Sequence, residues 1–162
     1  MKGLSKKEIE IVSYLELHKM RFFTRESIQK FFKNSHEMSV CLNILKNKKK
    51  VIRINKNKYY LVPITAYKDS WTEHSFILVD EIMNGKDYFI GGKSAAHFWH
   101  IIDQIPFRTD VFTTKKQGLK RMFSNEIYFR RVRKINNSDY ALRYIKGHPF
   151  NIAKKKVSEK WI

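Results

Sequence analysis

At 162 residues, 43% apolar and 30% charged, the chain can bury one core or two small ones, and it is too apolar for a disordered tail. No run of about 18 apolar residues occurs, and the charge-interrupted start MKGLSKKEIEIVSYL lacks a signal peptide's apolar stretch, so a cytoplasmic protein without membrane association is expected. Thirty-three Lys and Arg against fifteen Asp and Glu, a formal +18, point to a phosphate-bearing partner, and the excess is denser in residues 1–62, with 15 basic and 5 acidic side chains.

Ser5 with Glu8 spells a capping box, and Ile9, Ile11, Val12, Leu15 and Leu17 follow at helical spacing, which predicts a first helix ending between His18 and Arg21. Phe22 and Phe23 lead into Thr24, the expected N-cap of a short second helix that carries Ile28, Phe31 and Phe32 and stops at Asn34. Ser35 is expected to cap a third helix with Met38, Cys41, Leu42 and Leu45 on one face and His36, Glu37, Ser39, Val40, Asn43 and Lys46 on the other. The single cysteine, Cys41, excludes an intramolecular disulfide and reads as a small buried hydrophobe. Val51, Ile52 and Ile54 then mark one strand and Tyr59 to Val62 another. Asn55-Lys56-Asn57-Lys58 forms the turn between them, because Asn tolerates left-handed backbone.

Three helices and a hairpin, with a short connection between helices two and three, predict a winged helix-turn-helix over residues 1–62. In that arrangement the third helix enters the major groove. His36, Glu37, Ser39, Val40 and Asn43 are then the expected base contacts, and Arg25, Lys46, Lys48, Arg53, Lys56, Asn57 and Lys58 the expected phosphate contacts. Each lysine taken alone is equally well a solvated surface group, and Val40 equally well a core contact.

Pro63 ends the hairpin, residues 63–72 read as a linker, and 73–162 as a second unit. Phe76, Ile77, Val79, Ile82 and Met83 predict a helix closed by Asn84-Gly85. DYFIGG predicts a strand into a Gly-Gly turn, and Ser94 an N-cap for AAHFWHII, with Ala95, Phe98, Trp99 and Ile102 apolar. TDVFTT, IYFRRVRKI and YALRYI read as strands separated by KKQGLKRMFSN and NNSD, so the second unit is a small α+β domain and the whole chain α+β. Lys115, Lys116, Lys120, Arg121, Arg131 and Arg133 form a second basic surface. Alternation turns Arg131 and Arg133 one way and Arg130 and Val132 the other, as on an edge strand or one with a solvated face. The aromatic residues interleaved there, Phe123, Tyr128, Phe129, Tyr140 and Tyr144, keep an alternative open: binding of RNA or another single-stranded nucleic acid.

Nothing in the pattern indicates catalysis. Phosphate-loop, nucleophile-elbow and H-E-x-x-H motifs are absent, the acids are scattered, and His97 with His100 at i, i+3 lack further ligands. No enzyme activity, metal or cofactor is expected.

KYYLVP, YFIGGKSAAHFWHIIDQIP and VFTTKK together resemble the AbiEi family of antitoxins from type IV toxin-antitoxin systems, a resemblance spanning roughly Leu4 to Ile135. It implies a winged helix that represses its own operon at an inverted repeat of double-stranded DNA, as a monomer or weak dimer, and a second domain that counters a nucleotidyltransferase toxin in phage defence. It also implies that Gly91, Gly92, Ser94 and Ala95 shape a turn and helix start, and that Asp103 and Gln104 cap or bridge. The chain departs from the family pattern at His100, which stands where relatives carry glycine, and its C-terminal end at KKKVSEKWI comes sooner than in long members.

Overall fold

A computed structural model describes residues 3–66 and 72–161, and the chain divides into two compact units, 1–71 and 72–162. The fold is α+β, with six helices and two sheets among the described residues. Half of the expected 63–72 linker, residues 67–71, lies outside the described residues. Among the described residues no helix is long and apolar enough to cross a membrane.

The first unit runs α1 (Lys6–Leu17), β1 (Phe22–Thr24), α2 (Arg25–Ile28) continued by a 3-10 turn (Gln29–Phe31), α3 (Ser35–Asn47), β2 (Val51–Arg53) and β3 (Lys58–Leu61). Its three strands form one antiparallel sheet in the order β1-β3-β2. Strand β1 is an addition to the expected order of three helices and a hairpin. Phe22 and Phe23, expected to lead into the second helix, instead lie opposite Tyr60 and Tyr59, a cross-strand pairing that three residues of sequence do not announce. Ile11, Val12, Leu15, Phe23, Ile28, Met38, Leu42, Leu45, Val51, Tyr59 and Leu61 make the core, each fully buried aliphatic contributing about 1.5–3 kcal/mol. Ile9 and Leu17, expected on the apolar face of α1, are exposed instead, because Ile11, Val12 and Leu15 already fill the stripe that faces α3 and the sheet. The cap of α3 is also one residue early: Asn34 Oδ1 accepts from Glu37 N at 2.9 Å, while Ser35 is the first helical residue.

Glu8 joins the helices. Its carboxylate closes the capping box by accepting from Ser5 N at 2.8 Å and also accepts from Lys48 Nζ at 2.6 Å, although only 4% of the residue is exposed. Lys48 Nζ donates further to Gly3 O. Burial alone would raise the Glu8 carboxyl, but hydrogen bonds from Lys48 and Ser5 and the Lys48 charge overcome it and hold the group below its ordinary value. The lysine cluster at 48–50 is therefore partly architectural. Lys48 pairs with Glu8, Lys49 takes the left-handed conformation at φ +56°, and Lys50 N bonds back to Leu45 O, together closing α3.

The second unit runs α4 (Ser75–Met83), β4 (Tyr88–Gly91), α5 (Gly92–Phe98), β5 (Thr109–Thr113), β6 (Gly118–Met122), β7 (Asn125–Arg131), β8 (Tyr140–Ile145), β9 (His148–Ala153), α6 (Lys155–Ser158) and a 3-10 turn (Glu159–Trp161). Its six strands order as β6-β7-β5-β4-β9-β8. Two of them, β6 and β9, were not foreseen. The first lies in a basic stretch whose alternation is masked by Lys120 and Arg121, and the second contains Pro149, which normally demotes a strand. Pro149 is tolerated because pairing with β4 is restricted to Ile90 opposite Ile152, beyond the proline. Strand β7 is interior, between β6 and β5, rather than an edge, and it ends at Arg131, so Arg133 lies beyond it.

Helix α5 begins at Gly91 as N-cap and stops at Phe98, short of the expected Ile102. Ser94, expected to cap it, is buried inside it. Its hydroxyl donates to Arg108 O at 3.1 Å and accepts from Asp110 N at 3.2 Å, pinning the start of β5. His100 ends the helix in the left-handed region at φ +55°, with Ile101 N bonding back to Ala96 O. On the α4 side of the sheet, Tyr88 donates to Asp80 Oδ1 at 2.7 Å and accepts from Asn151 N at 3.1 Å, and burial with the Asp80 bond pushes its hydroxyl well above the ordinary tyrosine value.

Replacing Lys48 by Met leaves the Glu8 carboxylate buried without its cation, and urea denaturation at pH 7 should show a loss of about 2 kcal/mol. Because the folded-state carboxyl lies below its ordinary 4.5, wild type keeps this stabilisation above 4.5 and loses it as pH falls from there through the lower folded-state value, so the difference between the two proteins should shrink progressively in acid. His100→Gly relieves a left-handed non-glycine residue at an exposed position and should raise stability by about 1 kcal/mol in the same assay.

Candidate nucleic-acid interface

Helix α3 buries Met38, Cys41, Leu42 and Leu45, so geometry at 100° per residue turns His36, Val40 and Asn43 outward along its opposite face, with Lys46 beside them. All four are exposed, and among the described residues no side-chain hydrogen bond engages His36, Asn43 or Lys46. Val40 is 45% exposed and lies with Phe32, His36 and Ile44 in a shallow groove between α1 and α3 that Ser5, Lys7 and Glu37 also line. Burial pushes the Cys41 thiol up, consistent with its place in the core.

Other expected contacts are engaged within the protein. Arg25 Nη2 donates to Ser35 O, Ser35 Oγ and Ser39 Oγ at 3.1, 3.0 and 2.8 Å, so an expected phosphate contact and an expected base contact are bound to each other across the α2–α3 turn. Glu37 accepts from Lys7 Nζ of α1 and from Lys33 N. The Lys7 hydrogen bond, then that of Lys33, holds its carboxyl below the usual range, so Glu37 acts as a clamp between helices rather than a free acceptor for a base. Lys48, paired with Glu8, is likewise withdrawn from the phosphate set.

The hairpin tip is compact. Asn55 Oδ1 accepts from Asn57 N and Lys58 N, both at 3.0 Å, forming a side-chain turn, while fully buried Ile54 anchors its base. Arg53 donates to Asn55 O at 3.1 Å and to Lys56 O at 3.0 Å, bracing the tip from below. Lys56 and Asn57 are exposed at its apex and Lys58 is half-buried.

The second basic surface is not one uniform patch. Lys115 pairs with Asp87 and Arg121 with Glu126. Lys116 lies over the Phe129 ring, and burial lowers the ammonium groups of Lys116 and Lys120, the latter also through the charge of Lys116. Arg131 and Arg133 are exposed. A different cationic pair, outside the expected surface, is Arg108 and Arg130, which flank Asp110 at 3.3 and 3.5 Å. The Arg108-x-Asp110 spacing hints at a shared strand face, but Arg130 arrives only through the pairing of β5 with β7.

Among the described residues, three metal-capable side chains converge at Asp80, Glu81 and His148, with ligand atoms within 4.8 Å of one another; His97 and His100 are not among them. Here His148 Nε2 sits 3.1 Å from Asp80 Oδ2 and ties β9 to α4. No protein-family model and no curated protein matches the chain.

Replacing Asn55 by Ala removes the acceptor for two backbone donors. The expected loss is about 1 kcal/mol of stability, with faster amide exchange at Asn57 and Lys58 read by NMR while amides in α1 keep their relative protection.

Proposed function

We propose that the first unit is a winged helix that binds double-stranded DNA in a sequence-specific way and acts as a transcriptional repressor. The observation that carries this reading is the outward face of α3, where His36, Val40 and Asn43 stand exposed and uncommitted on a helix whose other face is locked into the core. The order helix, strand, helix, helix, hairpin, with a three-stranded antiparallel sheet, is that of a winged helix and supports the same reading. In this function α3 enters the major groove, Asn43 reads an adenine edge, Val40 meets a thymine methyl, and Lys46, Lys56 and Asn57 contact phosphates. Arg25 with Ser39 forms a hydrogen-bonded pair at the start of α3 that releases donors to phosphate on binding. The formal charge of +18 supplies the counterion-release contribution.

The biological setting follows from the resemblance to AbiEi antitoxins: autoregulation at an inverted repeat and neutralisation of a nucleotidyltransferase toxin. An adjacent reading frame for such an enzyme, whose growth inhibition the chain relieves, supports that setting; a lone gene with no effect on such a toxin removes it.

The DNA reading is tested by measuring affinity for the chain's own promoter and for random duplex at several salt concentrations. Asn43→Ala should lose about 1–3 kcal/mol of discrimination at one base pair and leave random-sequence binding unchanged. Lys56→Ala should weaken both duplexes alike and flatten the salt slope by about one unit. Equal losses on both duplexes for Asn43→Ala remove base reading from α3.

A further inference from the structure

A cleft of about 500 Å³ opens in the second unit where the Gly91-Gly92 turn, the 104–108 loop and strands β5 and β7 meet. Its floor is Asp110, whose side chain is 10% exposed and whose Oδ1 makes no hydrogen bond among the described residues. Two guanidinium groups stand over that oxygen, Arg108 Nε at 3.3 Å and Arg130 Nε at 3.5 Å. Both also lie over the same Tyr128 ring, at 4.8 and 5.3 Å from its centroid. One buried carboxylate and one ring thus hold two guanidiniums side by side, and among the described residues neither commits an N–H to a hydrogen bond. Such a pair matches the oxygens of a phosphate, which accepts in the planar, bidentate way guanidinium donates. Lys93, exposed at the rim, adds a further positive charge, so the cleft keeps an excess of cations over its single carboxylate.

The other wall is flat and apolar. Trp161 stacks on Phe112 with centroids 5.2 Å apart and planes at 12°, and Phe107 across the cleft is 80% exposed. The glycine pair is built around this wall and floor. A Cβ on Gly91 would meet the Phe112 ring at 2.6 Å, and one on Gly92, already at φ +58°, would come within 3.0 Å of Asp110 Oδ2. A ligand that suits both walls carries a phosphate beside a planar ring, and 500 Å³ falls in the range of small-molecule sites.

We propose that this cleft binds a nucleotide, with the phosphate held by Arg108 and Arg130 and the base set against Trp161 and Phe107. Asp110 is a positioning residue: it aims the two guanidiniums without touching the ligand. The same chemistry is offered by a free nucleotide and by the end of a nucleic-acid strand.

The test is calorimetric titration of the full chain with AMP, GMP, CMP, UMP, the 5′-phosphorylated dinucleotide pUpU and inorganic phosphate. At least one nucleotide should bind, and at least tenfold more tightly than phosphate alone. Arg130→Gln, at a half-exposed position, should weaken that binding about tenfold or more, the worth of one charged hydrogen bond, with an unchanged thermal midpoint. Asp110→Asn should weaken it similarly, and Trp161→Leu should weaken nucleotides but not phosphate. Equal affinity for mononucleotide and pUpU assigns the site to free nucleotides, and tighter binding of pUpU assigns it to a strand end. Absence of nucleotide binding at millimolar concentration, affinity unchanged in Arg130→Gln, or phosphate binding as tightly as any nucleotide overturns the proposal. None of these readouts involves duplex binding by the first unit, so the two readings stand or fall separately.

Discussion

A buried glutamate sets the geometry of the first unit. Glu8 completes the capping box of its own helix and accepts from Lys48 at the C-terminal end of α3, so one carboxylate ties the start of α1 to the end of α3. With that joint made, and with Glu37 gripping Lys7 near the other end of α3, the helix is held to α1 at two points. Its outward side chains are left out of the packing. The polarity of the exposed face is therefore a consequence of how firmly the opposite face is tied down.

The second unit solves a different problem, covering a mixed six-stranded sheet. On the α4 side, Ile90, Val111 and Phe129 are fully or nearly fully buried, and Tyr88, Asp80 and His148 form a polar strut between sheet and helix. The other side carries the rows Gly91, Asp110, Tyr128 and Phe89, Phe112, Arg130, set by the registers of β4, β5 and β7. Small α5 and the C-terminal turn cover only part of it. The uncovered part is where a charged floor and an aromatic wall meet, whereas Lys116 and Lys120 of β6 and its turn are themselves partly buried.

Legibility in the sequence followed the range of the interactions involved. The capping box at Ser5 and Glu8, the apolar stripe of α3 and the Asn84 stop of α4 are set within four residues and can be read from spacing. Strands β1, β6 and β9 could not, because three to six residues become strands only when a partner supplies the ladder. His97 and His100 read as neighbours on one helix face, but α5 ends at Phe98 and His100 takes the left-handed conformation beyond it. Lysines were the least legible of all: Lys46 and Lys48 differ by two positions, yet one is exposed and the other closes a buried pair.

What the amino-acid sequence determined alone was the class of the molecule: an α+β chain with an excess of positive charge and a third helix of strongly two-sided polarity, since composition and 3.6-residue periodicity are local sums. Which charges stay outside ion pairs was settled by packing. Whether a lysine or arginine faces water, a carboxylate or an aromatic ring depends on partners 14 to 40 positions away, as with Arg25 and Ser39 or Lys48 and Glu8. No periodicity encodes a distance of that kind; it is set when helices and strands pack and the cost of burying a charge forces each one to find its counterpart.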